Sequence, residues 1–202
     1  MKLIRCYILF LLCLSGTFPL LAQAVNDSVF SSAVANSFRL IDAGNGKTRS
    51  LKEITASQDL LLFVFLSPEC PLCKNYAPVL DSLQRQYSGS VQVIGIVPGK
   101  SYSKTVINAY ARKYKVHFPL LIDPAKKISN YLHASVTPEV ILLTPRYQLV
   151  YRGGIDNRVK QLGVKSWKAT ENYLSDAVSQ YLQHTATAVR RTKPIGCRIN
   201  DF

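Results

Sequence analysis

The 202-residue chain lacks internal repeats and low-complexity segments, which argues against solenoids and tract-type linkers. It also lacks an uninterrupted apolar run long enough for a membrane span. The apolar stretch near the N-terminus, residues 8–14, is followed by Gly16 and Pro19 and falls short of the roughly 20 residues needed. Acidic residues are few, 12 against 25 Lys and Arg, for a formal charge of +13. The basic residues are scattered, without the aromatic–basic interleaving of nucleic-acid binders, so no nucleic-acid partner is expected. Cysteine is scarce as well. There are five, with no second pair at a spacing that would complete a zinc site, so no metal or other cofactor is expected.

The first 24 residues read as an export signal. Lys2 and Arg5 precede the apolar stretch, and Ala22-Gln23-Ala24 supplies a small-x-small cleavage site. Cleavage after Ala24 predicts a periplasm-like location. If uncleaved, the same segment would tether the chain to a membrane. Removing it takes the formal charge from +13 to +11 and takes away Cys6 and Cys13. Cys70, Cys73 and Cys197 remain. Three cysteines cannot build a disulfide scaffold even in an oxidising compartment, but they suit one redox pair and one separate thiol. The rest is long enough to bury a core without staples.

The expected organisation is a signal at 1–24, a leader at 25–37, one domain at 38–184 and a mobile basic tail at 185–202. Residues 38–42 alternate like a strand and turn at Gly44-Asn45-Gly46. Ser50 and Glu53 form a capping-box pattern. Residues 60–66 are apolar at every position, as in a central strand buried on both faces. A second such strand is predicted at 91–97, helices at 74–87, 103–114 and 166–183, and a hairpin at 140–151. This order predicts an α/β fold with a central mixed β-sheet and helices on both faces.

Cys70-Pro71-Leu72-Cys73 stands where the apolar strand gives way to the first long amphipathic helix. A helix N-terminus carries partial positive charge and unpaired N–H groups, which favour a thiolate. The first cysteine would attack from the exposed helix start. The second, one turn inside, would resolve the mixed disulfide. This pattern points to a thiol–disulfide oxidoreductase.

The segment Phe65-Leu66-Ser67-Pro68-Glu69-Cys70-Pro71-Leu72-Cys73-Lys74, with Pro78 following, resembles the thioredoxin superfamily, in its exported redoxin-like branch. Val136-Thr137-Pro138-Glu139 ahead of a strand, residues 118–123 and Tyr151-Arg152-Gly153-Gly154 extend the likeness over roughly residues 38–182. The resemblance implies a thioredoxin-like fold with Cys70 and Cys73 catalytic. It also implies a cis Pro138 facing the cysteines, and Thr137 and Pro138 holding the substrate backbone. Implied partners are protein disulfides or dithiols and a membrane redox protein, with the chain acting as a monomer. Pro71, Glu69, Lys74 and Cys197 are the expected modulators. Glu69 replaces the family's tryptophan, and Val64 replaces its buried acid, leaving Cys73 without the usual proton acceptor.

Two rival chemistries share these residues. Ser67, three residues before Cys70, suits a thiol peroxidase of the peroxiredoxin type, although Phe63 stands where that family has a proline. A copper-delivery module could combine Cys70 and Cys73 with His133 or His117. Cys197, flanked by Arg190, Arg191, Lys193 and Arg198, is expected to be accessible in the tail. The Cys70–Cys73 disulfide is expected to dominate, with a Cys70–Cys197 or an intermolecular Cys197 bond as a minor species.

Overall fold

The computed structural model describes residues 29–55, 58–161, 163–166 and 168–199. The signal-like segment at 1–24 lies outside them. The elements run in chain order as α1 (Ser32–Ser37), β1 (Arg39–Asp42), β2 (Thr48–Ser50), α2 (Leu51–Ile54), β3 (Leu60–Phe65) and α3 (Pro71–Gln86). Then come β4 (Val91–Pro98), α4 (Lys104–Lys113), β5 (Leu120–Asp123), α5 (Lys127–Tyr131), β6 (Val136–Thr137), β7 (Glu139–Leu143) and β8 (Leu149–Gly153). The chain closes with β9 (Val159–Gln161), β10 (Val164–Lys165), α6 (Tyr173–Leu182) and β11 (Cys197–Arg198).

Seven strands form one mixed sheet in the order β2-β1-β5-β4-β3-β7-β8. The three central strands β5, β4 and β3 are parallel, and β1 and β7 flank them antiparallel. Strand β3 is buried at all six positions because helices cover both faces. Leu60, Leu62 and Val64 point into the core beneath α3, α4 and α6. Leu61, Phe63 and Phe65 point into the core beneath α1, α2 and α5. The α3 and α4 crossovers both step the same way along the sheet, so equal handedness puts them on the same face. Among the described residues no helix is long and apolar enough to cross a membrane.

The capping box at Ser50 and Glu53 is present in full. Three expectations at the chain's ends need correction. Residues 29–37 are not a loose leader: Phe30 is buried in a ring cluster with Phe38, Tyr131 and Tyr147, and Ser31 caps α1. The last helix starts at Tyr173, not 166. A β9–β10 hairpin takes up the chain before it, and Asn157 Oδ1 accepts from the N–H groups of Thr170 and Glu171. Extending the apolar spacing that starts at Tyr173 back to Trp167 hid these competing local bonds.

The tail, expected to be mobile, is paired instead. The Arg152 N–H donates to Arg190 O and the Thr192 N–H to Arg152 O, both at 3.0 Å, which ties the tail to the outer edge of β8. Farther on, β11 runs antiparallel to β6, with Cys197 opposite Thr137 and Arg198 opposite Val136. Unpaired sheet and strand edges attract any extended chain that can reach them, and the polar composition of the tail gave no sign of that reach.

Candidate active site

Helix α3 starts where β3 ends. Cys70 is its N-cap, in extended conformation, and Pro71 occupies N1, where a missing N–H removes only an orphan donor. Cys73 lies one turn inside. Both cysteines are nearly inaccessible, but they face different surroundings: Cys70 lines a pocket of about 250 Å³, and Cys73 packs into the core. The pocket lies beyond the carboxyl ends of the central strands, between Ser67, Pro98 and Tyr102 on one side and Thr137, Cys197 and Ile199 on the other.

The sulfur bonded to Cys70 is that of Cys197, 127 residues away, with Cα atoms 6.1 Å apart. Cys73 is a free, buried thiol. The expected dominant Cys70–Cys73 bond is therefore not the one formed. The β6–β11 register explains this, because it carries Cys197 over the start of α3 while Cys73 faces inward.

Burial pushes the Cys73 thiol from 9.0 up to about 11. The Ser67 N–H, donating to Sγ at 3.4 Å, the Thr137 side chain and the Lys74 charge oppose that shift without cancelling it. Cys73 is thus held neutral at ordinary pH.

Thr137 touches all three cysteines. Its carbonyl oxygen is 3.1 Å from Cys70 Sγ, its side chain contacts Cys73, and its Oγ1 donates to Cys197 O at 3.4 Å. The Thr137–Pro138 peptide is cis, as the resemblance implied, and Pro138 is buried. Glu139 follows, 1% exposed, and takes two bonds from Arg152, at 2.9 Å from Nε and 2.6 Å from Nη2, plus the Ser135 N–H at 2.9 Å. A buried carboxylate so fully paired fixes the loop that carries Thr137.

Sequence reasoning missed two tyrosines. Tyr102 Oη accepts from Ser67 Oγ at 3.0 Å and donates to the exposed Glu69 at 3.5 Å. Buried Tyr110 donates to Cys73 O at 3.0 Å. Both lie after β4, far from the cysteines in sequence, and no spacing signals them. The histidines of the copper reading are not brought to the cysteines. His117 pairs with Asp81 at 2.8 Å, and the His133 carbonyl accepts from Arg152. Among the described residues no group of three or more His, Cys, Asp or Glu is arranged to hold a metal ion.

A model of the AhpC/TSA family matches residues 32–153. The thiol-disulfide oxidoreductase ResA of Bacillus subtilis is 25% identical over 128 residues, covering 63% of this chain and 69% of that protein. A secreted Mycobacterium tuberculosis disulfide oxidoreductase superposes with a TM-score of 0.56 at 17% identity, covering 74% of this chain and 98% of its own. Peroxiredoxin Q of Xanthomonas campestris also reaches 0.56, at 16% identity, covering 79% and 99%. The two solved structures carry different chemistries on one thioredoxin-like fold, and at this identity they speak for the fold alone.

Proposed function

The chain belongs to the AhpC/TSA family, and on that premise we propose that it is a thiol–disulfide oxidoreductase using Cys70 and Cys73 on exported protein partners. Cys70, as thiolate, attacks a substrate disulfide. A mixed disulfide forms, one substrate sulfur leaves, and Cys73 then attacks Cys70 to release the other. Thr137 and Pro138 lie along the substrate backbone. The observation that carries this reading is the environment of Cys70: an N-cap sulfur in a pocket, already joined to a cysteine on an extended strand, with a second thiol one turn behind.

The first turn of α3 favours the Cys70 thiolate once its bond is reduced. With Val64 buried in the apolar core, Cys73 has no carboxylate on β3 to take its proton. Support for this chemistry over peroxide reduction comes from the relative at 25% identity and from Ser67, whose hydroxyl is engaged by Tyr102. Export rests on the signal-like segment, and the membrane redox partner and monomeric state belong to the same proposal.

Replacing Cys70 with Ser is expected to abolish dithiol-dependent disulfide reduction, and Cys73→Ser is expected to accumulate partner proteins joined to Cys70. Full reductase activity in Cys70→Ser would overturn the assignment. Rapid consumption of hydrogen peroxide by the reduced protein, with no disulfide reductase activity, would favour the peroxidase instead. Mass spectrometry of the mature N-terminus tests cleavage after Ala24.

A further inference from the structure

Strand β11 meets the site as a foreign peptide would. It adds to β6 through backbone pairing, Cys197 opposite Thr137 and Arg198 opposite Val136, and the Ile199 N–H donates to Ser135 O at 3.0 Å. Strand addition of this kind derives affinity from the main chain and specificity from side-chain pockets. The approach is close: a Cβ on Gly196 would lie 2.4 Å from Thr137 O, so a side chain there forces the strand away. Most side chains at 185–195 are exposed or half-buried, and Cys197 itself is half-buried. The strand is thus held by a short ladder, one sulfur bond, the partial packing of Cys197 and Ile199 against the core and a few upstream contacts. Cys73, in contact with Thr137, is the unspent thiol nearest in sequence to that bond.

We propose that the C-terminal strand is a tethered substrate: residues 196–199 occupy the groove that extended protein substrates use, and Cys197 is a third redox cysteine that caps Cys70 until Cys73 displaces it. This rests on the dithiol reading above. In the exchange, Cys73 gives up its proton and its sulfur attacks Cys70 Sγ. The Cys70–Cys73 bond forms, the Cys70–Cys197 bond breaks, and the Cys197 sulfur leaves with the electron pair and takes a proton. The oxidation state of the chain is unchanged, so no outside oxidant is needed. The strand also serves as a template for the substrate class. Substrates are extended segments running antiparallel to β6, with a small residue immediately before the reactive cysteine and an aliphatic one two residues after it.

The test uses the full mature chain in wild-type, Cys197→Ser and Gly196→Ala forms. Each is oxidised in a glutathione buffer, acid-quenched, alkylated and mapped without reduction. Wild type is expected to hold mainly Cys70–Cys197, and Cys197→Ser to hold Cys70–Cys73. Gly196→Ala, with every cysteine kept, is expected to shift toward Cys70–Cys73. The second readout is made in a Cys73→Ser background, where a captured peptide is not released: the initial rate at which a labelled peptide of residues 194–199, its cysteine reduced and present at micromolar concentration, displaces Cys197 or glutathione from Cys70. A tethered competitor at millimolar effective concentration slows capture, so both variants are expected to exceed wild type by about 10²-fold. The same peptide with alanine in place of its glycine is expected to be captured poorly. Equal capture by all three proteins, or a Cys70–Cys197 bond that persists in Gly196→Ala, would make the bond structural and overturn the proposal. If Cys197→Ser neither forms Cys70–Cys73 nor captures peptide, the dithiol reading itself fails.

Discussion

Strands β3 and β11 flank the same cysteine and are held there by opposite means. Strand β3 has neighbours on both sides and apolar layers on both faces, and all six of its residues are buried. Strand β11 has two paired residues, one half-buried and one exposed, and a sulfur bond. Burial is distributed and cannot be withdrawn without unfolding the domain. A short ladder and one exchangeable bond can be withdrawn while the sheet stays intact. The difference teaches that Cys70 is gripped from behind by the core and covered from in front by a removable segment.

The largest effect expected on this comparison comes from the core side. Phe63→Ala should cost about 3–5 kcal/mol, because Phe63 is wholly buried on β3 and its loss leaves a cavity. Urea unfolding should show that loss equally in reduced and oxidised protein. A redox-dependent loss would mean that the two regions are not separable.

Cys197→Ser is the counterpart on the tail. Cross-linking residues 127 apart restricts the unfolded chain, and losing such a link typically costs about 2–4 kcal/mol. The loss should appear only under oxidising conditions and vanish in excess reductant. A comparable loss in reduced protein would show the strand to be bound by packing rather than by its sulfur.

The third expected effect is on rate. Cys73 ionises near 11, above its ordinary 9.0, so its thiolate is a small fraction at neutral pH. That fraction rises about tenfold per pH unit well below the pKa. Displacement of Cys197 by Cys73 should therefore speed up by about that factor per unit from pH 7 to 9, followed by rapid quench and alkylation. A flat profile would mean that another step limits release.

The smallest effect lies farthest up the tail. Thr192 Oγ1 accepts from the Gly154 N–H at 3.0 Å and lies 2.6 Å from the Tyr151 hydroxyl. Thr192→Val removes these bonds, at about 1 kcal/mol each before relaxation. Faster capture of the labelled peptide should accompany the change. If capture is unaffected, the β6–β11 ladder alone sets how often the tail leaves.

Much of the scaffold was legible because its signals are local. The apolar run at 60–65 marked β3, Ser50 and Glu53 marked a cap, and the order of strands and helices marked the mixed sheet. Cys70, Cys73 and the Thr137–Pro138 pair stood out as short motifs. The packed residues 29–37 and the two tyrosines did not, since each depends on partners distant in sequence, and the short β9–β10 hairpin did not because its few polar residues carry no alternating apolar pattern.

The sequence by itself determined the central sheet, the helix that begins at Cys70 and the presence of three cysteines after the signal-like segment, because burial periodicity and helix capping act within a few residues. Only the tertiary structure decided which cysteine bonds to Cys70. Disulfide choice depends on which sulfur the fold carries within reach, and the β6–β11 register carries Cys197 there while burial leaves Cys73 a neutral thiol.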